Sequence, residues 1–235
     1  MKPLTSSLKY FVVQKARLSN KEAVHAILSG KVLVNGQKST LHQALQPEDL
    51  VQLDEQVIKL PEAYLYLAYH KPRGVESTLN PDIENNLLQA LRLTQSVFPV
   101  GRLDKYSEGL MLLTNNGNIY NQIIHAENHQ EKEYTVTVDK PLTQQALALL
   151  ESGIVILGEK TRPAIVKQLD TNTFTIILTQ GLNRQIRRMC YKLGYQVVRL
   201  VRTRIVSLEL GNLPPGAWRQ LSDTEIKDML CQVAG

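Results

Sequence analysis

The chain has 235 residues, with 27 Lys and Arg against 22 Asp and Glu, a formal charge of +5. A hydrophobic fraction of 43% and a charged fraction of 21% exclude a disordered chain, and no apolar run approaches the roughly 18–20 residues of a membrane span. The length allows one large domain, or a small one followed by a medium one. The opening MKPLTSSLKYFVVQKARLS lacks an apolar segment followed by a small-residue cleavage site, so no signal peptide is expected and a cytoplasmic location is. Cys190 and Cys231 are too few for a disulfide framework and form no zinc pattern, so reduced cysteines are expected.

The first clear element begins at Ser19. Ser19-Asn20-Lys21-Glu22 has the spacing of a capping box. Ala23, Val24, Ala26, Ile27 and Leu28 continue an apolar helical stripe to Gly30, a helix stop. Val32–Val34 then reads as a strand into an Asn35-Gly36 turn, and Leu50–Leu53 as another strand after Pro47-Glu48-Asp49. These make a small module over residues 1–56. Weak periodicity and Pro61 place a linker at 57–63, and a larger domain at 64–235.

In the larger domain Tyr64–Tyr69 is a predicted strand, broken by Lys71-Pro72-Arg73-Gly74. Ile83–Leu93 is a predicted helix, Leu110–Leu113 a buried strand with a turn at Asn115-Asn116-Gly117, and Glu133–Val138 a half-buried strand. Ala164–Leu169 and Phe174–Leu178 read as a hairpin. Asn183–Leu193 reads as a helix with Asn183 as N-cap, Tyr195–Leu210 as one or two strands, and Ser222–Glu225 as a second capping box opening a C-terminal helix. Strands and helices that do not alternate regularly argue for an α+β fold.

The positive charge is concentrated. Arg184–Arg204 holds seven basic residues and no acidic one, and the rest of the chain is net −2. Residues 1–54 hold seven Lys and Arg against four acids. Two basic segments suit a phosphate backbone, and arginine forks suit phosphate or a buried carboxylate. No phosphate-binding loop, dinucleotide fingerprint, HExxH or GxSxG pattern is present. His125 and His129, with Glu127 between, have the spacing of a metal pair but no evident third ligand, and a polar turn is the commoner reading. Lys71-Pro72-Arg73-Gly74 reads either as a phosphate contact or as a structural turn. Composition and pattern stop at a two-domain protein that binds RNA or DNA.

The segment Gly101-Arg102-Leu103-Asp104-Lys105-Tyr106-Ser107-Glu108-Gly109-Leu110-Met111-Leu112-Leu113-Thr114-Asn115 strongly resembles the signature of pseudouridine synthases, in the branch with an N-terminal alpha-L RNA-binding module. The resemblance continues through Lys71–Gly74, Glu131-Lys132-Glu133-Tyr134, Gly181–Met189 and Arg202-Thr203-Arg204-Ile205, and covers nearly the whole chain in order. Within that branch the wording is most similar to enzymes of large-subunit (23S) ribosomal RNA that also have a transfer-RNA target.

The resemblance implies a mixed, mainly antiparallel sheet flanked by helices, with a cleft across it. It implies Asp104 as the catalytic carboxylate, Arg187 as its paired arginine and Tyr134 as an aromatic stacking on the target base. Arg102 would help displace that base, since a stacked uridine must be flipped out before it can react. Leu200 would line the uracil pocket, and Lys71, Arg184, Arg188, Arg202 and Lys21 would contact RNA. The reaction breaks the bond from uracil N1 to ribose C1′ and rejoins C1′ to C5, so no cofactor and no metal are implied. The expected partner is ribosomal RNA, with transfer RNA as a further target, no membrane, and the enzyme acting as a monomer. A non-catalytic RNA-binding or ribosome-assembly factor, or the same chemistry on small-subunit RNA, is the alternative. Two departures stand out. Asn20 and Lys21 replace consecutive arginines in the small module, and Glu76 occupies a usually apolar position.

Overall fold

The computed structural model describes residues 7–93, 95–124 and 129–234. The chain divides into two compact units, the first running through Leu65 and taking in Gln95–Phe98 and Thr114–Asn118. In this unit helices α1 (Leu8–Ala16) and α2 (Asn20–Leu28) accompany strands β1 (Val32–Val34), β2 (Gln37–Lys38), β3 (Val51–Leu53) and β4 (Gln56–Lys59). The strands form an antiparallel sheet of order β2-β1-β3-β4. The capping box is formed: the Glu22 N–H donates to Ser19 Oγ at 3.3 Å, and the Ser19 N–H to the Glu22 carboxylate at 2.8 Å. Asn35 and Gly36, at φ 52° and 77°, turn β1 into β2 with the left-handed backbone that matches strand twist. The Asn35 side chain then donates to Asp49 (2.7 Å) and accepts from the Leu50 N–H (2.9 Å).

Leu8, Phe11 and Val12 of α1 close this unit's core against Ala23, Ala26, Ile27, Val32, Val34, Leu45 and Val51. The linker expected at 57–63 starts too early. β4 extends the sheet to Lys59, whose buried Nζ donates to the carbonyls of Pro47, Asp49 (2.8 Å) and Leu60 (3.2 Å). A buried ammonium needs such acceptors, and they tie residues 57–59 into the module.

From Tyr66 onward the elements are β5 (Tyr66–Lys71), α3 (Leu87–Leu91), β6 (Phe98–Val100), β7 (Glu108–Thr114), α4 (Gly117–Ile124), β8 (Lys132–Val138), α5 (Gln144–Ser152), β9 (Val155–Ile156) and β10 (Glu159–Lys160). They continue with β11 (Ile165–Gln168), β12 (Thr173–Leu178), α6 (Gln185–Lys192), β13 (Val197–Ile205), β14 (Leu208–Glu209), β15 (Trp218–Gln220) and α7 (Asp223–Ala234). The main sheet runs β11-β12-β8-β13-β7-β5-β15, with β14 added to β13 and β6 to β7. β7 and β13 are parallel, while β8 is antiparallel to both β12 and β13, so the fold is α+β with a mixed, mainly antiparallel sheet.

Two features of this sheet fix the directions of its side chains. Alternation along β8 and β12 turns Val136, Val138, Phe174 and Ile176 onto one face, where they pack with Leu200, with α5 (Ala146, Leu147, Leu150) and with α6 (Ile186, Met189). At the parallel seam Gly109 lies opposite Arg202. It adopts φ 111°, and a Cβ there would lie 2.3 Å from the Arg202 carbonyl oxygen. Only glycine permits that approach. Among the described residues no helix is long and apolar enough to cross a membrane.

Candidate active site

Three segments of the larger unit are tied together around Asp104: the end of β5 with Lys71–Gly74, the turn that leads into β7, and α6 with the start of β13. Asp104 sits in that turn, closed by a hydrogen bond from the Ser107 N–H to its carbonyl (3.0 Å). Its carboxylate is 30% exposed, with Oδ2 4.0 Å from Arg187 Nε and 3.9 Å from Arg184 Nη1.

Arg187, on α6, is held by more than this ion pair. Its Nη1 donates to the Val197 carbonyl (3.0 Å), and its Nη2 to the Tyr106 carbonyl (2.9 Å) and Ser107 Oγ (3.3 Å). One guanidinium thus links helix, strand start and the Asp104 turn. Its Nε is buried, has no hydrogen-bond partner among the described residues, and faces Asp104 at ion-pair distance. Burial is the main pull lowering the Arg187 pKa from its usual value, Arg184 adds to it, and Asp104 opposes both.

Arg184 is the partner that sequence reasoning missed. Its sequence position suggests a phosphate contact, with Asn183 capping α6. Arg184 is itself the N-cap, in the left-handed region at φ 52° and ψ 35°, and lies 3.9 Å from Asp104. For a residue with a Cβ this backbone costs about 1–2 kcal/mol. Arg188, half-buried, bonds back to the loop, donating to the Asn183 carbonyl (2.9 Å) and Oδ1 (3.2 Å). Cys190, on the same helix, is buried, and burial pushes its thiol up to about 12, so it is no nucleophile at neutral pH.

Two expected RNA contacts point inward instead. Lys71 is fully buried, and its Nζ donates to the carbonyls of Pro72 (3.0 Å), Val75 (2.7 Å) and Lys105 (3.3 Å). With the Gly74 N–H on the Lys105 carbonyl (2.7 Å), it fastens the loop after β5 to the residue beside Asp104. Burial lowers its pKa to about 8, against the attraction of Glu76, Asp104 and Glu108 and reinforced by Arg202. Arg202 is buried too, its Nε donating to the Leu110 carbonyl at 2.7 Å. On β13 it shares a face with Leu200. Arg204 likewise turns inward, to Glu131 (2.9 Å) and Glu133 (3.1 Å).

Tyr134 is half-buried on β8, directly across from Arg202, and Leu200 is paired with Val136 one alternation away. Both side chains therefore lie on the face covered by α6. Arg102, two residues before Asp104, is exposed. Lys21 is exposed on α2 of the small unit. The unexpected Glu76 has a partner, Lys105 Nζ at 3.8 Å, which explains a charge at that position. His125 and Glu127 lie outside the described residues. Among the described residues no group of three His, Cys, Asp or Glu is placed to hold a metal.

The family model for RNA pseudouridylate synthase matches residues 65–192, and the chain belongs to that family. It is 41% identical over 224 residues to the dual-specificity RNA pseudouridine synthase RluF of Escherichia coli K12, covering 94% of this chain and 77% of that relative. It is 33% identical to ribosomal large subunit pseudouridine synthase B of Bacillus subtilis, covering 89% of each. A crystal structure of a pseudouridylate synthase superposes with a TM-score of 0.68 at 27% identity, over 95% of this chain and 99% of that one. The chain therefore isomerises uridine to pseudouridine in RNA.

Proposed function

We propose that the RNA is large-subunit ribosomal RNA, with a transfer RNA as second substrate, and that Asp104 is the catalytic carboxylate, in a monomeric cytoplasmic enzyme. The dual-specificity and large-subunit relatives support the choice of RNA. The carrying observation for the site is Asp104 Oδ2 facing the buried Nε of Arg187, whose other nitrogens bond to both neighbouring chain segments.

In this reading Arg102 helps to extrude the uridine, whose unstacking costs a few kcal/mol. Tyr134 stacks on the extruded base, with Leu200 behind it. Asp104 then acts on the ribose or the base while the N1–C1′ bond breaks. The uracil turns, C1′ bonds to C5, the C5 proton leaves and N1 gains one, so no atom or electron is imported. Arg187 and Arg184 hold the carboxylate in place. The 4.0 Å separation between Asp104 and Arg187 leaves room to tighten when substrate binds.

The test is tritium release from large-subunit ribosomal RNA transcribed with uridine labelled at C5. Wild type should release label, and Asp104→Asn should fall to background while binding the RNA within about threefold. Release by Asp104→Asn at the wild-type rate sinks the assignment of Asp104. Absence of release by the wild type from ribosomal RNA, with release from transfer RNA, sinks the choice of RNA.

A further inference from the structure

Tyr106 is two residues beyond Asp104, yet it is 55% exposed. The backbone beneath it is fixed, because its carbonyl accepts from Arg187 Nη2 at 2.9 Å. The guanidinium of Arg73 lies 5.7 Å from the ring centroid, within cation–π range. Arg73 is itself anchored by donating to the Val198 carbonyl at 3.3 Å. The end of β5 and the start of β13 thus hold an exposed ring and its cation next to the catalytic carboxylate.

Resting on the proposed function, we infer that the Tyr106 ring, backed by Arg73, is a stacking subsite for the nucleobase adjacent to the target uridine. Two residues span at most about 7 Å, so Tyr106 stays within roughly one nucleotide of whatever Asp104 attacks. Extruding a base deprives its neighbour of a stacking partner. An aromatic face restores that contact without reading sequence, since every base presents a π-face. The ring is neutral, and Arg73 polarises it rather than replacing it. The ligand class is therefore a nucleobase, not a phosphate. Phosphate recognition belongs to the exposed cations nearby, whose contribution depends on salt as a ring contact does not.

The experiment uses the full chain and transcribed large-subunit ribosomal RNA, with two readouts: tritium release, and direct binding across a salt series. Tyr106→Ala should lose about tenfold in affinity and in kcat/KM, the scale of one base–aromatic stack. Its salt dependence and thermal midpoint should match wild type, and Tyr106→Phe should stay within about twofold of wild type. Arg73→Ala should show a smaller loss in the same direction. Wild-type affinity in Tyr106→Ala, or a loss in Tyr106→Phe as large as in Tyr106→Ala, overturns the subsite. The binding arm decides this even if wild type releases no label, an outcome that would count against the proposed function alone.

Discussion

At Asp104 two arginines do different work, and their burial separates them. Arg187 is 13% exposed with three further hydrogen bonds, whereas Arg184 is 46% exposed and its side chain meets the carboxylate alone among the described residues. Arg187→Lys keeps the charge but loses the planar fork that reaches both the Val197 and Tyr106 carbonyls. It should lower unfolding free energy by about 2–4 kcal/mol and turnover at least tenfold, whereas Arg184→Ala should reduce turnover with little change in stability. Urea midpoints alongside tritium release separate the two, and equal midpoints for both variants would contradict the division. Lys71 adds a pH dependence. Its folded pKa of about 8 lies below the ordinary lysine value near 10.4. Between these values the unfolded chain holds a proton that the folded chain has released, so stability through this residue rises as pH climbs. Below about pH 8 both states are charged and its contribution is flat. From pH 7.5 to 9.5 the unfolding free energy of wild type minus that of Lys71→Met should grow by about 1–2 kcal/mol. Lys132, with a pKa of about 8 set by burial and Arg202, titrates in both proteins and cancels. A difference that shrinks over this range would refute the assignment.

Among the elements, those whose determinants are local were legible in the sequence. Both capping boxes formed, at Ser19–Glu22 and at Ser222, whose Oγ accepts from the Glu225 N–H at 3.2 Å. The Asn35-Gly36 turn and the strands around it formed as well. α5 was equally local but went unread: Thr143 Oγ1 accepts from the Ala146 N–H (3.1 Å) and Gly153 ends the helix. The helix expected over Ile83–Leu93 shortens to Leu87–Leu91 for a local reason that was also unread: Asn86 supplies its N-cap while its Nδ2 holds the carbonyls of Asn80 and Ile83 in the preceding loop. What depends on distant chain was not legible. The resemblance pointed to Asp104 and Arg187 as a pair, which the structure places 4.0 Å apart, but not to Arg184 beside them, which required α6 to begin from a left-handed residue. Nor did it show that Lys71 and Arg202 face inward, since a charge in a sequence has a sign but no direction. The seam between β7 and β13 offers the sharpest test at this scale. At Gly109 a methyl group would meet the Arg202 backbone, with 2.5 Å to its nitrogen, and neither partner is a flexible side-chain end. Gly109→Ala should therefore cost more than about 3 kcal/mol, a large share of a typical domain's stability, and appear as lost soluble yield or a steep fall in thermal midpoint. A variant that folds with an unchanged midpoint would show that the parallel strands can part to admit a methyl group.

For the molecule as a whole, charge count and charge direction give different expectations for RNA binding. The seven cations of Arg184–Arg204 would release counterions from up to seven phosphates if all faced RNA, steepening the plot of log affinity against log salt by about 5–6 units at roughly 0.7–0.9 per phosphate. The structure directs Arg187 to Asp104 and backbone carbonyls, Arg202 to Leu110 and Arg204 to Glu131 and Glu133, and it pairs Arg199 with Glu108. Arg184 pairs with Asp104, which leaves Arg188 and Lys192 without an acidic partner among the described residues. Replacing these two together with alanine should therefore flatten the slope by about 1–2 units, while Lys21→Ala, on the small unit, should remove up to about one more. Equilibrium binding to transcribed ribosomal RNA at several salt concentrations measures both. Arg202→Ala or Arg204→Ala flattening the slope by about a further unit would mean that the inward-turned arginines are exposed when RNA binds. A flattening below about one in the Arg188 and Lys192 variant would place the phosphate track elsewhere than on α6, and the affinity would then have to come from the small unit and from neutral contacts such as base stacking.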